Sequence, residues 1–185
     1  MCIRDSPKKG LDRLVRAWSQ IENSFSEWEL MIVGPDKNEY AQSIRQLITD
    51  LGLQQAHIAG PVFGSKKEDL LRNADIFALP TLNENFAVTV AESLAVETPV
   101  ISTKGAPWQG LETHKCGWWI DHGIEPMVAA LQTAMNLPDS VRANMGSRGR
   151  VWMANDFSWN SIAIQMAEVY DWLLGEGDMP NFVHS

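Results

Sequence analysis

Apolar residues recur along this chain with two rhythms, one of helical spacing and one of short uninterrupted runs. Leu11, Leu14, Val15, Trp18 and Ile21 predict an amphipathic helix over 10–23. The run Leu30-Met-Ile-Val33, stopped by Gly34-Pro35, predicts a buried strand over 29–34. Ile44, Leu47, Ile48 and Leu51 mark a second helix, with Gly52 placed to cap it, and 57–61 reads as a brief strand and turn. Beyond these, the pattern predicts a short helix at 66–73, a strand at 75–80, a polar loop from Thr81 to Asn85 and a helix ending near Val96. Strands at 98–102 and 117–121 follow, then helices near 124–136 and 139–154. A last helix carries Trp159, Ile162, Ala163, Met166, Tyr170 and Leu173 on one stripe, which is expected to be core packing, against this domain or a further one.

Short strands alternating with helices define an α/β class: a Rossmann-like parallel sheet with helices on both faces. In such sheets ligands bind outside the carboxyl ends of the strands. The loops after Gly34, Gly60, Pro80 and Ser102 are therefore where functional residues should collect. Residues 7–175 are expected to form the ligand-binding domain and 176–185 a loosely held tail. The opening MCIRDS resembles a translated sequencing-adapter fragment, so residues 1–6 are expected to be a non-native leader.

Composition narrows the classes. A chain of 185 residues, 45% hydrophobic and 21% charged, can bury one core without disulfides or structural metals. A net charge of -8 argues against nucleic acid as partner, since binding a phosphate backbone needs clustered Lys and Arg. Cys2 and Cys116 offer no disulfide framework, which favours a reducing compartment and a cytoplasmic location. His57, His114, His122 and His184 lack any metal-binding spacing, so no protein-built metal site is expected. No apolar run approaches the roughly 20 residues that span a bilayer.

The chemistry concentrates between Thr81 and Pro99. Glu84 sits in a loop and Glu92, eight positions on, lies inside the following helix. Carboxylates accept hydrogen bonds from vicinal hydroxyls such as those of a ribose or a sugar. Between them, the amides of Phe86, Ala87 and Val88 fall at a helix start, where unpaired N–H groups favour a diphosphate. Lys8 and Lys9 open the first helix, an end where the dipole does not favour a cation, and Lys9 is the candidate counter-charge. Trp118 and Trp119 read as core, whereas Trp108 suits either core or a sugar-stacking surface.

This stretch resembles the signature of retaining glycosyltransferases of family 4, which have the two-domain GT-B fold: a Glu, seven residues, a second Glu, then a Pro-Val strand. The likeness extends to Pro7-Lys-Lys-Gly-Leu-Asp12, Ile32-Val-Gly34-Pro35, Gly60-Pro61 and Ala74-Asp75. With Thr103-Lys-Gly-Ala-Pro-Trp108 and Gly117-Trp-Trp119, it comes nearest to members that build exopolysaccharide or lipopolysaccharide. The resemblance implies the C-terminal, donor-binding half of such an enzyme. Glu92 would hold ribose hydroxyls, Glu84 hydroxyls of the transferred sugar, and Lys9 the departing diphosphate. Gly34, Gly60, Asn85, Phe86, Ala87 and Val88 would complete the donor site.

It further implies a UDP-sugar or GDP-sugar donor, no cofactor, no metal and a glycan or lipid-linked acceptor. The acceptor would be held by an N-terminal domain, and the full-length enzyme would associate peripherally with a membrane. Such a chain alone should bind donor and turn over poorly. Arg4 has the spacing of an Arg that normally precedes the diphosphate Lys, while Ala87 and Glu97 stand where Gly is usual. The family's central strand would fall before Pro7, so the isolated chain should unfold with poor cooperativity. Two other readings remain open here: a non-catalytic sugar-nucleotide-binding subunit that depends on a partner chain, and a GT-B sugar-nucleotide epimerase.

Overall fold

The computed structural model describes residues 7–183. After a 3-10 turn at Pro7–Lys9, the elements run α1 (Leu11–Ser19), β1 (Leu30–Val33), α2 (Glu39–Asp50), β2 (Ala56–Ala59), α3 (Ser65–Arg72) and β3 (Phe77–Leu79). There follow α4 (Val88–Ala95), β4 (Val100–Thr103), α5 (Gly110–Thr113), β5 (Gly117–Ile120), α6 (Ile124–Met135), α7 (Asp139–Asp156) and α8 (Trp159–Leu174). Every strand pairing is parallel: β1 with β2, β3 with β4, and β4 with β5. The fold is therefore the expected α/β class. Among the described residues the strands make two hydrogen-bonded pieces, β1–β2 and β3–β4–β5, with no ladder between them.

Helix α1 joins the two pieces through side chains. Leu14, Ala17, Trp18 and Ile21 share one core cluster with Ala56 of β2, Ile101 of β4 and Met127 of α6. Leu11 and Val15 turn instead toward Ile32 of β1 and Ile44 of α2. A second cluster, on the other face, sets Phe77, Leu79 and Val100 against Val90 and Leu94 of α4 and Trp152 of α7. Burying a large aliphatic side chain such as Leu14 or Ile101 stabilises the fold by about 2 kcal/mol, so both clusters matter to stability.

Three expectations need correction. The first helix stops at Ser19 rather than reaching 23, and a 3-10 turn at Glu22–Ser24 follows. The reason is tertiary: the buried Glu22 carboxylate accepts the amides of Gln54, at 3.1 Å, and Gln55, at 2.7 Å, just before β2. Helix α5 carries no periodicity that four residues could express, and the sequence pattern passes over it. The stripe on α8 is not part of this domain's core: Trp159, Ile162, Ala163, Met166, Tyr170 and Leu173 are all exposed, and Trp159 reaches 89%. The half-buried positions are Ser161, Gln165, Val169 and Trp172, a different face of the helix. Among the described residues, no helix is long and apolar enough to cross a membrane.

Candidate functional site

Three loops converge at the carboxyl ends of β3 and β4. The Leu82 amide donates to the Lys8 carbonyl at 2.7 Å, and the Glu84 amide donates to the Gly105 carbonyl at 2.7 Å. Thr103 Oγ1 donates to the Thr81 carbonyl. The fully buried Thr81 hydroxyl lies 3.1 Å from Glu84 Oε1 and 3.2 Å from the Lys8 carbonyl, and its single hydrogen serves one acceptor at a time. Two glycines allow this approach. A Cβ on Gly10 would stand 2.2 Å from the Pro80 carbonyl oxygen, and one on Gly105 would stand 2.5 Å from the Leu82 carbonyl oxygen. Gly10 also has φ +64, a region that side chains disfavour.

The knitted loops bring Lys9 and Glu84 together, 75 positions apart in sequence, as an ion pair between Lys9 Nζ and Glu84 Oε1. Both side chains are largely covered, at 16% and 17% exposure, so the pair is shielded from solvent more than a surface pair would be. Glu84 Oε1 faces both Lys9 and Thr81, which leaves Oε2 as an open acceptor among the described residues. Lys8 contributes its backbone carbonyl to the junction. Arg4 lies outside the described residues.

Immediately after Glu84, the chain enters α4 through a left-handed residue. Ala87 has φ 63 and ψ 67, caps α4 without any side-chain hydrogen bond, and stands where the resemblance led us to expect Gly. Glycine is favoured there because a Cβ disfavours this conformation by about 1–2 kcal/mol. Glu97, the other residue in a usual glycine position, is likewise left-handed at φ 69. Among the described residues no acceptor is assigned to the amides of Phe86, Ala87 and Val88. These N–H groups therefore stay free for an anion at the positive end of α4. Asn85, Phe86 and Val88 are exposed.

Glu92 lies farther along α4, where its Oε2 sits 2.5 Å from Lys67 Nζ of α3 in an ion pair that lacks hydrogen-bond geometry. The two residues line a cleft of about 960 Å³ together with Phe63 and Gly64, and Glu84 is not among the residues that line it. Gly34 is buried at the end of β1, and Gly60 is half-buried after β2 with open space where a Cβ would stand. Trp108 is 1% exposed, so it does not present a sugar-stacking surface, and core is the outcome of its two readings. Trp118 and Trp119 pack against the two core clusters. His114 stacks on Trp152 with ring centroids 4.4 Å apart. Among the described residues, no group of three or more His, Cys, Asp or Glu is arranged to hold a metal ion.

Sequence reasoning missed Thr81, Thr103, Gly10, Gly105 and Lys67. The two glycines could have been flagged, since each stands in a short polar turn next to a predicted element. Nothing local marks Thr81 or Lys67, because their partners come from distant segments.

A parallel α/β domain with its polar groups gathered at the strand ends belongs to the class that binds ligands at that edge. This chain belongs to the glycosyl transferases group 1, which match it over residues 1–152. It is 31% identical over 180 residues to a GDP-mannose-dependent alpha-(1-6)-phosphatidylinositol monomannoside mannosyltransferase of Mycolicibacterium smegmatis, covering 88% of this chain and 44% of that protein. It superposes on the Anabaena protein Alr3699/HepE, solved with UDP and glucose, with TM-score 0.78, 21% identity and coverage of 92% and 47%. It also shares its fold with the C-terminal domain of a group 1 glycosyl transferase, LpcC, of Francisella tularensis, with TM-score 0.73, 19% identity and coverage of 85% and 83%. The chain spans less than half the length of the curated relatives that it matches.

Proposed function

We propose that this chain is the donor-binding domain of a glycosyltransferase that moves a sugar from a nucleoside diphosphate sugar to a glycan or lipid-linked acceptor. Transfer proceeds with retention and without a metal, and a separate N-terminal domain supplies the acceptor site. The observation that carries this reading is the Lys9–Glu84 pair, set beside the unpaired amides that open α4. The solved relative that binds UDP and the curated relative that depends on GDP-mannose both support a nucleoside diphosphate sugar as donor.

In this reading, Glu84 Oε2 accepts hydroxyls of the transferred sugar and Glu92 accepts those of the ribose. As the bond between the sugar's anomeric carbon and the diphosphate oxygen breaks and the acceptor hydroxyl takes its place, negative charge builds on the leaving diphosphate. The amides of Phe86, Ala87 and Val88 meet that charge, Lys9 turns part of its ammonium from Glu84 toward it, and a single such donor is worth about 10²–10³ in rate. Gly34, Gly60 and Asn85 line the approach to the donor. The full-length protein works in the cytoplasm as a peripheral membrane enzyme.

Calorimetric titration with UDP and with GDP tests the reading. Wild-type protein should bind one of them, and Lys9→Ala and Glu92→Ala should lose most of that affinity while keeping a native circular dichroism spectrum. Folded wild-type protein that binds neither nucleotide would overturn the reading. Turnover by a chain carrying the N-terminal domain should persist in EDTA.

A further inference from the structure

Two tryptophans use their indole N–H groups on the loops that carry the proposed donor contacts. Trp108 Nε1 donates to the Phe86 carbonyl, and Trp119 Nε1 donates to the Ala106 carbonyl at 2.8 Å. We propose that Trp108 is a positioning residue for the nucleoside-diphosphate site, because its N–H pins the Phe86 carbonyl and so aims the Ala87 amide outward as part of the anion cradle. This inference rests on the donor-site reading and names what holds that site in shape.

The argument turns on one peptide plane. The Phe86 carbonyl and the Ala87 N–H belong to the same trans peptide, so they point in opposite directions. Anchoring the carbonyl inward on Trp108 therefore turns the N–H away from the domain interior. That anchor matters because, among the described residues, no side chain caps the start of α4. Ala87 is left-handed in spite of its Cβ. Freed of the bond, the 86–87 peptide would relax toward a right-handed or extended form and carry its N–H with it.

Trp108 is suited to this role because it cannot follow the loop. It is 1% exposed and packs edge-on against Trp152 at 5.5 Å, with Phe157 at 5.5 Å and the Phe86 ring at 5.1 Å. Its own amide donates to the Ala106 carbonyl at 2.8 Å. That carbonyl also receives the Trp119 indole, and the neighbouring Gly105 carbonyl receives the Glu84 amide. The segment around Trp108 thus braces both arms of the site, the carboxylate of Glu84 on one side and the amides of α4 on the other.

The test compares UDP, GDP, UMP and GMP binding by calorimetry to the wild-type chain, Trp108→Phe, and the double variant Trp108→Phe/Ala87→Gly. Trp108→Phe should weaken diphosphate binding about tenfold, the scale of one lost hydrogen bond, and narrow the preference for diphosphate over monophosphate. The double variant should recover most of that loss, since glycine adopts the left-handed form without a brace. A role in packing alone predicts equal losses for all four nucleotides and no rescue by glycine, and that result overturns the proposal. Should Trp108→Phe fail to fold, benzothienylalanine at position 108 keeps the ring shape and removes the N–H. Wild-type affinity in that protein would also overturn the proposal. If wild-type protein binds neither diphosphate, the donor reading falls together with this inference; if it binds one and Trp108→Phe matches it, this inference alone falls.

Discussion

Lys67 on α3 holds the carboxylate of Glu92 on α4, with 2.5 Å between Nζ and Oε2. On the proposed reading, one of the two oxygens that Glu92 offers to a ribose hydroxyl is thus paired with a cation from another helix. Both side chains are about a third exposed, so solvent screening limits the pair to about 0–1 kcal/mol. Lys67→Met should therefore tighten UDP or GDP binding by up to about fivefold, because the nucleotide no longer competes with the ammonium. Calorimetry reads this directly, and weaker binding in the variant would mean that Lys67 helps to hold the nucleotide.

Gly10 is predicted to be intolerant of any side chain. Gly10→Ala places a Cβ against the Pro80 carbonyl and at φ +64, so the loop that carries Lys9 must lift away from Glu84. The cost should be about 2 kcal/mol or more, seen as a lower urea midpoint, together with loss of nucleotide binding. A variant of wild-type stability and affinity would show that the close approach is not needed.

Glu97 supplies a pH-dependent contact in the lining of the cleft that Glu92 and Lys67 share. The Arg150 guanidinium, donating at 2.8 Å, and the Ser147 hydroxyl, donating at 3.2 Å, hold its carboxyl below its ordinary value of 4.5. A folded value below the unfolded one means that the stabilisation is full above the unfolded value and is lost as pH falls through the folded one. Arg150→Met should therefore melt earlier than wild type at pH 7, and the gap should close in acid, below 4.5. A gap that persists unchanged at low pH would exclude this ion pair as its source.

Cys116 reports on one half of the sheet. It is fully buried, and burial pushes its thiol up to about 11, so the reactive thiolate is scarce in the native chain. In a Cys2→Ser background, iodoacetamide should label Cys116 only once the β3–β4–β5 piece opens. Because no ladder joins that piece to β1–β2 among the described residues, urea should melt the helical signal over a broader range than the labelling. Coincident, sharp transitions by both probes would mean that the shared core of α1 and α6 makes the two pieces cooperative.

Much of this architecture was legible from residue order. Alternating apolar runs and helical stripes located every strand and nearly every helix, because hydrophobic period is a local property set by backbone geometry. The same order placed Glu84, Glu92 and the amides between them on a strand–loop–helix unit, and placed Lys9 before the first helix. Periodicity could not say which stripe of a helix is covered. On α8 the apolar stripe is bare, while Ser161, Gln165, Val169 and Trp172 are half-covered, since burial depends on what a neighbouring helix presents.

What only the tertiary structure decided is who meets whom across the chain. Lys9 reaches Glu84 over 75 positions, Lys67 takes Glu92, and Trp108 turns its N–H to Phe86. The sequence by itself determined the order of elements and the chemical groups carried to the strand ends. Their pairing waited on folding, because ion pairs and hydrogen bonds act over a few ångströms and distant segments come that close only in the packed domain.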